Sequence, residues 1–251
     1  MADALRLYAL KGLVTGAADG IGEAVARTFA KHGAQVLAVD FRDSRIATAF
    51  GKVQGISTLA TDNNEKSAFD LMVGTVRERL KGLDILVNNF PDLADTSLAD
   101  DEQEDGRTLE RWLDRIAATT RSVLPLLKKS PAGRIINIGA LRSTFGRNGD
   151  AAFAASERAL AGLTASQAAE YGGFGITANY IQPGAIMTPT SRAVFESDRS
   201  FRDYCIARSA AKRLGEPVDV AKVALFLASD DSVFVSGTGI AADGGMLPDP
   251  S

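Results

Sequence analysis

The run Thr15-Gly16-Ala17-Ala18-Asp19-Gly20-Ile21-Gly22 follows an apolar stretch and opens one of helical period, and a carboxylate, Asp40, ends the next apolar stretch eighteen residues on. That pattern could hold a dinucleotide. Gly16 would permit a tight turn out of a strand, Gly20 would let backbone approach a pyrophosphate, and Gly22 would let the helix pack closely on the strand. The helix N-terminus then offers unpaired N–H groups and the positive end of its dipole to the phosphates. Ala18, Asp19 and Ile21, inside the run, and Phe41, next to Asp40, belong to the same candidate surface. Asp40 could accept two hydrogen bonds from ribose hydroxyls and would repel a 2′-phosphate, so NAD is expected over NADP; Arg42 weakens that preference slightly. Glycines between strand and helix can also serve sterics alone, and Asp40 could be a plain strand-end residue. The fit on both sides of the run favours the dinucleotide.

Elements must present these residues at one edge of a sheet. Short β-rich runs alternate with longer stretches of helical period, the pattern of repeated βαβ units around a parallel sheet. Strands are expected near 12–15, 35–39, 56–60, 83–88, 134–138, 177–181 and 239–242. Helices are expected near 20–31, 65–80, 109–128, 151–171 and 217–228, the last with Pro217 at its start. The expected fold is α/β, a Rossmann-type doubly wound parallel sheet in a single domain over 1–251.

Composition narrows the partners. The chain has 251 residues, 45% of them hydrophobic, enough for one large core. Its 28 Lys and Arg against 31 Asp and Glu leave a net charge of −3, no footprint for nucleic acid or anionic lipid. Cys205 is the one cysteine and His32 the one histidine, so neither an internal disulfide nor the usual zinc frameworks can form. The acidic cluster Asp100, Asp101, Glu102, Glu104, Asp105 reads as solvated surface, and no metal is expected. No leader and no apolar run of spanning length is seen, and a reducing cytoplasm is expected.

With further motifs the chain resembles a classical short-chain dehydrogenase/reductase nearly end to end. They are Asp62-Asn63, Asn88-Asn89, Gly133 to Ile138, Pro183-Gly184-Ala185-Ile186-Met187-Thr188, Arg213 to Pro217, Phe226 to Asp230 and Asp243-Gly244-Gly245. The resemblance implies that Asp62 and Asn63 border the adenine, Asn89 the adenosine ribose side, and Ile186 with Thr188 the nicotinamide carboxamide. It also implies a catalytic group of asparagine, serine, tyrosine and lysine. Counted without gaps, the tyrosine position is Phe153, the lysine position Glu157 and the serine position Ala140. The asparagine position falls on Trp112, or on Thr119 if Trp112 matches a tryptophan found earlier in many members.

Phenylalanine has no proton to exchange, so these replacements remove proton transfer instead of tuning it. Three classes follow: an NAD-binding sensor, scaffold or partner subunit without ordinary dehydrogenase activity; an enzyme of unconventional mechanism on a small carbonyl or alcohol, redox or not, with Glu157 as acid/base; or an ordinary dehydrogenase using other residues. Glu157 could equally point to water or pair with Arg158 or Arg142, and Trp112 and Phe153 could be plain core packing. Residues 189–214 correspond to the family's substrate lid, where Cys205 reads as a small buried hydrophobe. The long helices near 109–128 and 151–171 resemble the pair through which members form dimers and tetramers. A homotetramer is expected, and a hetero-oligomer with an active paralogue is a further possibility.

Overall fold

The computed structural model describes residues 5–40, 45–61, 66–90, 102–139 and 151–246; for 66, 102–109, 151–154, 156 and 157 it describes backbone alone. Seven parallel strands run β1 (Lys11–Val14), β2 (Gln35–Asp40), β3 (Ile56–Ala60), β4 (Ile85–Asn88), β5 (Arg134–Ile138), β6 (Thr177–Pro183) and β7 (Gly239–Ala242). Their order is β3-β2-β1-β4-β5-β6-β7, so the chain reverses direction across the sheet between β1 and β4. In open sheets of this kind the crevice beyond the carboxyl ends at that reversal is the natural ligand site.

Alternation along the strands sorts two cores. Val14, Val36, Ala38, Ile85, Val87, Ile136 and Ile138 face α1 (Gly20–Lys31) and α8 (Pro217–Ala228). Leu13, Leu37, Val39, Leu86 and Ile135 face the layer holding α3 (Lys66–Thr75) and α4 (Glu102–Leu127). Both faces are therefore covered by helices, and side chains on each pleat are apolar, as parallel strands require. In α1 the buried residues are Gly22, Val25, Ala26 and Phe29, a stripe at helical spacing.

Several boundaries differ from the sequence expectation. The helix expected over 65–80 is α3 followed by one π-helical turn, Val76–Leu80, which ends on Lys81 in the left-handed region at φ 63°. The helix expected from 109 begins at Glu102, so part of the acidic cluster lies on its first turns. A short helix α2 (Ile46–Ala49) was not anticipated. The lid-like segment holds two helices, α6 (Pro189–Ser197) and α7 (Arg199–Arg208), joined at Asp198. There Phe195 and Phe201 stack at 5.8 Å, and Cys205 is buried against them.

Between β4, β5, α4 and α5 (Ala151–Tyr171) lies a buried polar network. Asn88 Nδ2 donates to Asn137 Oδ1 at 2.8 Å and to Thr120 Oγ1 at 3.1 Å. Asn137 Nδ2 donates to Thr164 Oγ1 and Gln167 Oε1, each at 3.0 Å. Asn137→Ala would strip a partner from each of three buried side chains, Asn88, Thr164 and Gln167, and removing one partner of a buried pair costs the desolvation of the other. We expect a loss of about 3 kcal/mol, measured by urea denaturation through the emission of Trp112, the single tryptophan.

Candidate functional site

The two strands at the reversal are tied together by the residues that directly follow them, Thr15 after β1 and Asn89 after β4. Thr15 Oγ1 accepts from the backbone N–H of Asn89 at 3.0 Å and donates to its carbonyl at 3.2 Å. Asn89 Nδ2 donates to the Gly16 carbonyl at 2.8 Å. Asn89, expected on the adenosine ribose side, is thus also the clasp between β4 and the glycine turn.

Gly16 and Gly20 both have positive φ, 56° and 55°, where a side chain would be strained. At Gly22 a Cβ would lie 2.1 Å from the Gly16 carbonyl oxygen, so no other residue lets α1 approach β1 this closely. Across the crevice, a Cβ on Gly20 would meet Thr188 Cγ2 at 3.3 Å, which fixes the width of the groove between the glycine turn and the loop after β6.

Asp40, at the end of β2, accepts from the Ala18 N–H at 3.0 Å through Oδ2. Its carboxylate is thereby locked against the glycine turn. Asp19 stands at the N-cap of α1 but makes no side-chain capping bond; it pairs with Arg45 at 3.6 Å. The first-turn N–H groups of α1 are therefore not capped by that side chain, and an anion could take them. Gly20 and Ile21 begin this turn. A backbone cradle that a Cβ would fill, an uncapped helix start and a locked strand-end carboxylate fit a dinucleotide.

On the opposite wall, Ile186 is buried and its carbonyl accepts from Ser191 Oγ at 2.6 Å. Thr188 caps α6: its Oγ1 accepts from the Ser191 N–H at 3.1 Å, with Pro189 in the first turn. The residues expected at the carboxamide therefore also anchor the lid helix. Behind them, Met187 N–H donates to the Gly215 carbonyl at 2.8 Å. Asp219 accepts from Arg213 and from the Glu216 N–H, which holds its carboxyl below the usual range.

The two residues that the resemblance offers for the asparagine, Trp112 and Thr119, both lie buried on α4. Trp112 is 2% exposed, packs with Phe90, Ile116 and Leu160, and donates through Nε1 to the Phe90 carbonyl at 3.2 Å. Two turns on, Thr119 is fully buried, and among the described residues neither its Oγ1 nor Asn88 Oδ1 has a hydrogen-bond partner. Phe153 and Glu157 lie one turn apart on the continuous helix α5. Ala140, Phe41, Asp62 and Asn63 lie outside the described residues, as do Arg42 and Arg142. Among the described residues no group of three His, Cys, Asp or Glu could hold a metal, and no helix is long and apolar enough to cross a membrane.

Sequence reasoning missed two contributors. The Thr15 clasp could have been suspected from a hydroxyl directly before the first glycine. Arg45 had no signal beyond its place five residues after Asp40.

A family model described as enoyl-(acyl carrier protein) reductase matches residues 16–247. The chain is 32% identical to a 3-oxoacyl-(acyl-carrier-protein) reductase of Thermotoga maritima, over 97% of this chain and all of the other. It is 33% identical to the protein of that name from Escherichia coli, over 93% of this chain and 96% of that one. A gluconate 5-dehydrogenase from Burkholderia cenocepacia, solved in complex with NADP and tartrate, superposes with a TM-score of 0.85 at 30% identity, over 96% of each chain. Carried by these matches along nearly its whole length, the chain belongs to the short-chain dehydrogenase/reductase family of oxidoreductases.

Proposed function

We propose that this family member binds NAD in the cradle between β1 and β4 and lacks the usual proton donor, so that it acts as a sensor, scaffold or partner subunit and not as an ordinary dehydrogenase. What supports the reading is the resemblance: its gap-free count puts Phe153 and Glu157 at the tyrosine and lysine positions, and the two lie one turn apart on the continuous helix α5. The bound nicotinamide would supply hydride transfer. The chain's part would be to hold the phosphates on the α1 N-terminus, the ribose on Asp40 and Asn89, and the carboxamide near Ile186 and Thr188, with Asp62, Asn63 and Phe41 completing the adenine end. Asp40 and Asp19 both oppose a 2′-phosphate.

Glu157 in place of a lysine can still accept ribose hydroxyl bonds, but its charge favours the cationic ring of NAD⁺ over neutral NADH. Calorimetric titration tests this. Micromolar binding of NAD⁺, weaker for NADH and weakest for NADP⁺ and NADPH, is the expected result; NADP⁺ binding as tightly as NAD⁺ would remove the cofactor preference, and no binding at all would reduce the glycine motif to packing.

A second reading is favoured by the end-to-end match to proteins named reductases and dehydrogenases. In it the chain is an NAD(P)-dependent oxidoreductase of a small carbonyl or alcohol compound, with Glu157 as acid/base. Turnover of a ketone and alcohol panel that disappears in Glu157→Gln would establish it over the first. The first reading includes a homotetramer or dimer built on α4 and α5 in a reducing cytoplasm, a state that light scattering of the purified protein would read directly.

A further inference from the structure

We propose that Arg134 and Thr177 form a buried binding site for a compact monovalent anion such as chloride, at the edge of the sheet opposite the nucleotide cradle. The site stands whether or not the cradle holds a nucleotide.

Arg134 opens β5 and Thr177 opens β6, and the two are register partners. Neighbouring strands lie about 4.8 Å apart, and residues in register project to one face. That face is the one on which Ile136, Ile138 and Ile181 pack against α8. The turn that follows α8, Asp230–Ser232, comes over the pair, with Asp230 Oδ1 3.6 Å from Arg134 Nη2.

A guanidinium stays charged and presents only donors. This one is 4% exposed. Its Nη1 donates to the Gly133 carbonyl at 3.1 Å, but among the described residues its Nε has no hydrogen-bond partner, and neither has the buried Thr177 Oγ1. The counter-charge is poorly placed. The Asp230 carboxylate is 90% exposed and beyond hydrogen-bond distance, and Asp231 beside it pairs with Arg6. Burial holds the Arg134 pKa below the ordinary arginine value, against the opposing pull of Asp230.

A buried ion without a close partner is costly. An anion between the two residues would accept from Arg134 Nε and from the Thr177 hydroxyl together, and would set a negative charge against the guanidinium out of reach of solvent. Donors on residues this close suit a single-atom or similarly compact acceptor. Water can bridge the same two groups but brings no charge, so the buried cation favours the anion.

The test melts the whole protein in sodium chloride and in sodium methanesulfonate, a bulkier anion, at equal ionic strength. Chloride is expected to raise the melting temperature by roughly 3–6 °C for each tenfold increase above its dissociation constant, and methanesulfonate to leave it unchanged. Arg134→Met should abolish the difference between the salts, and the isosteric Thr177→Val should cut it by about half or more. Asp230→Asn, which removes a competing negative charge, should move the dependence to about threefold lower chloride. Crystals grown in bromide should hold the halide within hydrogen-bond distance of Arg134 Nε and Thr177 Oγ1. Equal melting in the two salts, or a chloride effect undiminished in both Arg134→Met and Thr177→Val, would overturn the site; Thr177→Val carries the comparison should Arg134→Met fail to fold. Crystals with no bromide at that position would overturn it as well and assign the two groups to water.

Discussion

Gly22→Ala is expected to remove the dinucleotide binding proposed for the cradle and to lower the melting temperature more than any other single methyl added at one of its glycines. The added Cβ would sit 2.1 Å from the Gly16 carbonyl oxygen and 2.8 Å from Asn89 Nδ2. Neither neighbour is the loose end of a flexible chain. One is backbone in the turn, and the other is held by its bond to that same carbonyl. Relief requires α1 to move away from β1, which opens the Asn89 clasp and shifts the N–H groups meant for the pyrophosphate. Overpacking of this kind costs about 1–3 kcal/mol, and a buried donor left without its acceptor adds about 1–3 more. At roughly 2–4 °C per kcal/mol for a chain of this size, a fall of roughly 10 °C is expected in a thermal melt. NAD⁺ affinity should weaken by about 100-fold or more, the equivalent of about 3 kcal/mol. Gly74→Ala, in α3 with nothing within 4 Å of the new methyl, is the control and should be neutral or slightly stabilising.

The second large effect is a gain. Under the first proposed reading, Thr119→Asn, Ala140→Ser, Phe153→Tyr and Glu157→Lys introduced together should raise carbonyl reduction above the level of the unmodified protein. A positioned acid/base contributes roughly 10² to 10⁴ in rate and a donor to the developing oxyanion roughly 10² to 10³. Such groups act as a unit, so single restorations should give little and the quadruple variant most. Thr119 is the site for asparagine because Trp112 is committed elsewhere, buried with its indole N–H on the Phe90 carbonyl. Trp112→Asn would open a cavity costing about 3–5 kcal/mol and add a polar group to it. The assay is NADH or NADPH oxidation with a panel of ketones and 3-oxo esters. Absence of any gain, with nucleotide binding intact, would show that the substrate pocket has diverged as well.

The fold was legible because its signals are local and repeated. Each strand is a short apolar run, the bounds of α1 and α8 follow from Gly20 and Pro217, and all seven strands fall where alternation places them. The bounds that shifted are those set by tertiary contact. Helix α4 extends back to Glu102 through acidic residues with no apolar period, and α2 is four residues that propensity alone cannot distinguish from a turn. In the site, glycines and Asp40 could be read because backbone geometry and charge demand those residue types. Clasps such as Thr15 to Asn89 join residues 74 apart in sequence, and no window of local pattern contains both. Spacing along one helix permits either Trp112 or Thr119, and no local pattern announces that Trp112 is buried with its indole N–H on the Phe90 carbonyl.

The clasp has an evolutionary consequence. Thr15, Gly16, Gly22 and Asn89 hold the nucleotide cradle together and also hold β1, β4 and α1 in place, so a lineage cannot shed them and still produce a folded chain. Selection on foldability alone therefore preserves the shape of the crevice at the strand reversal, whatever chemistry the rest of the site performs.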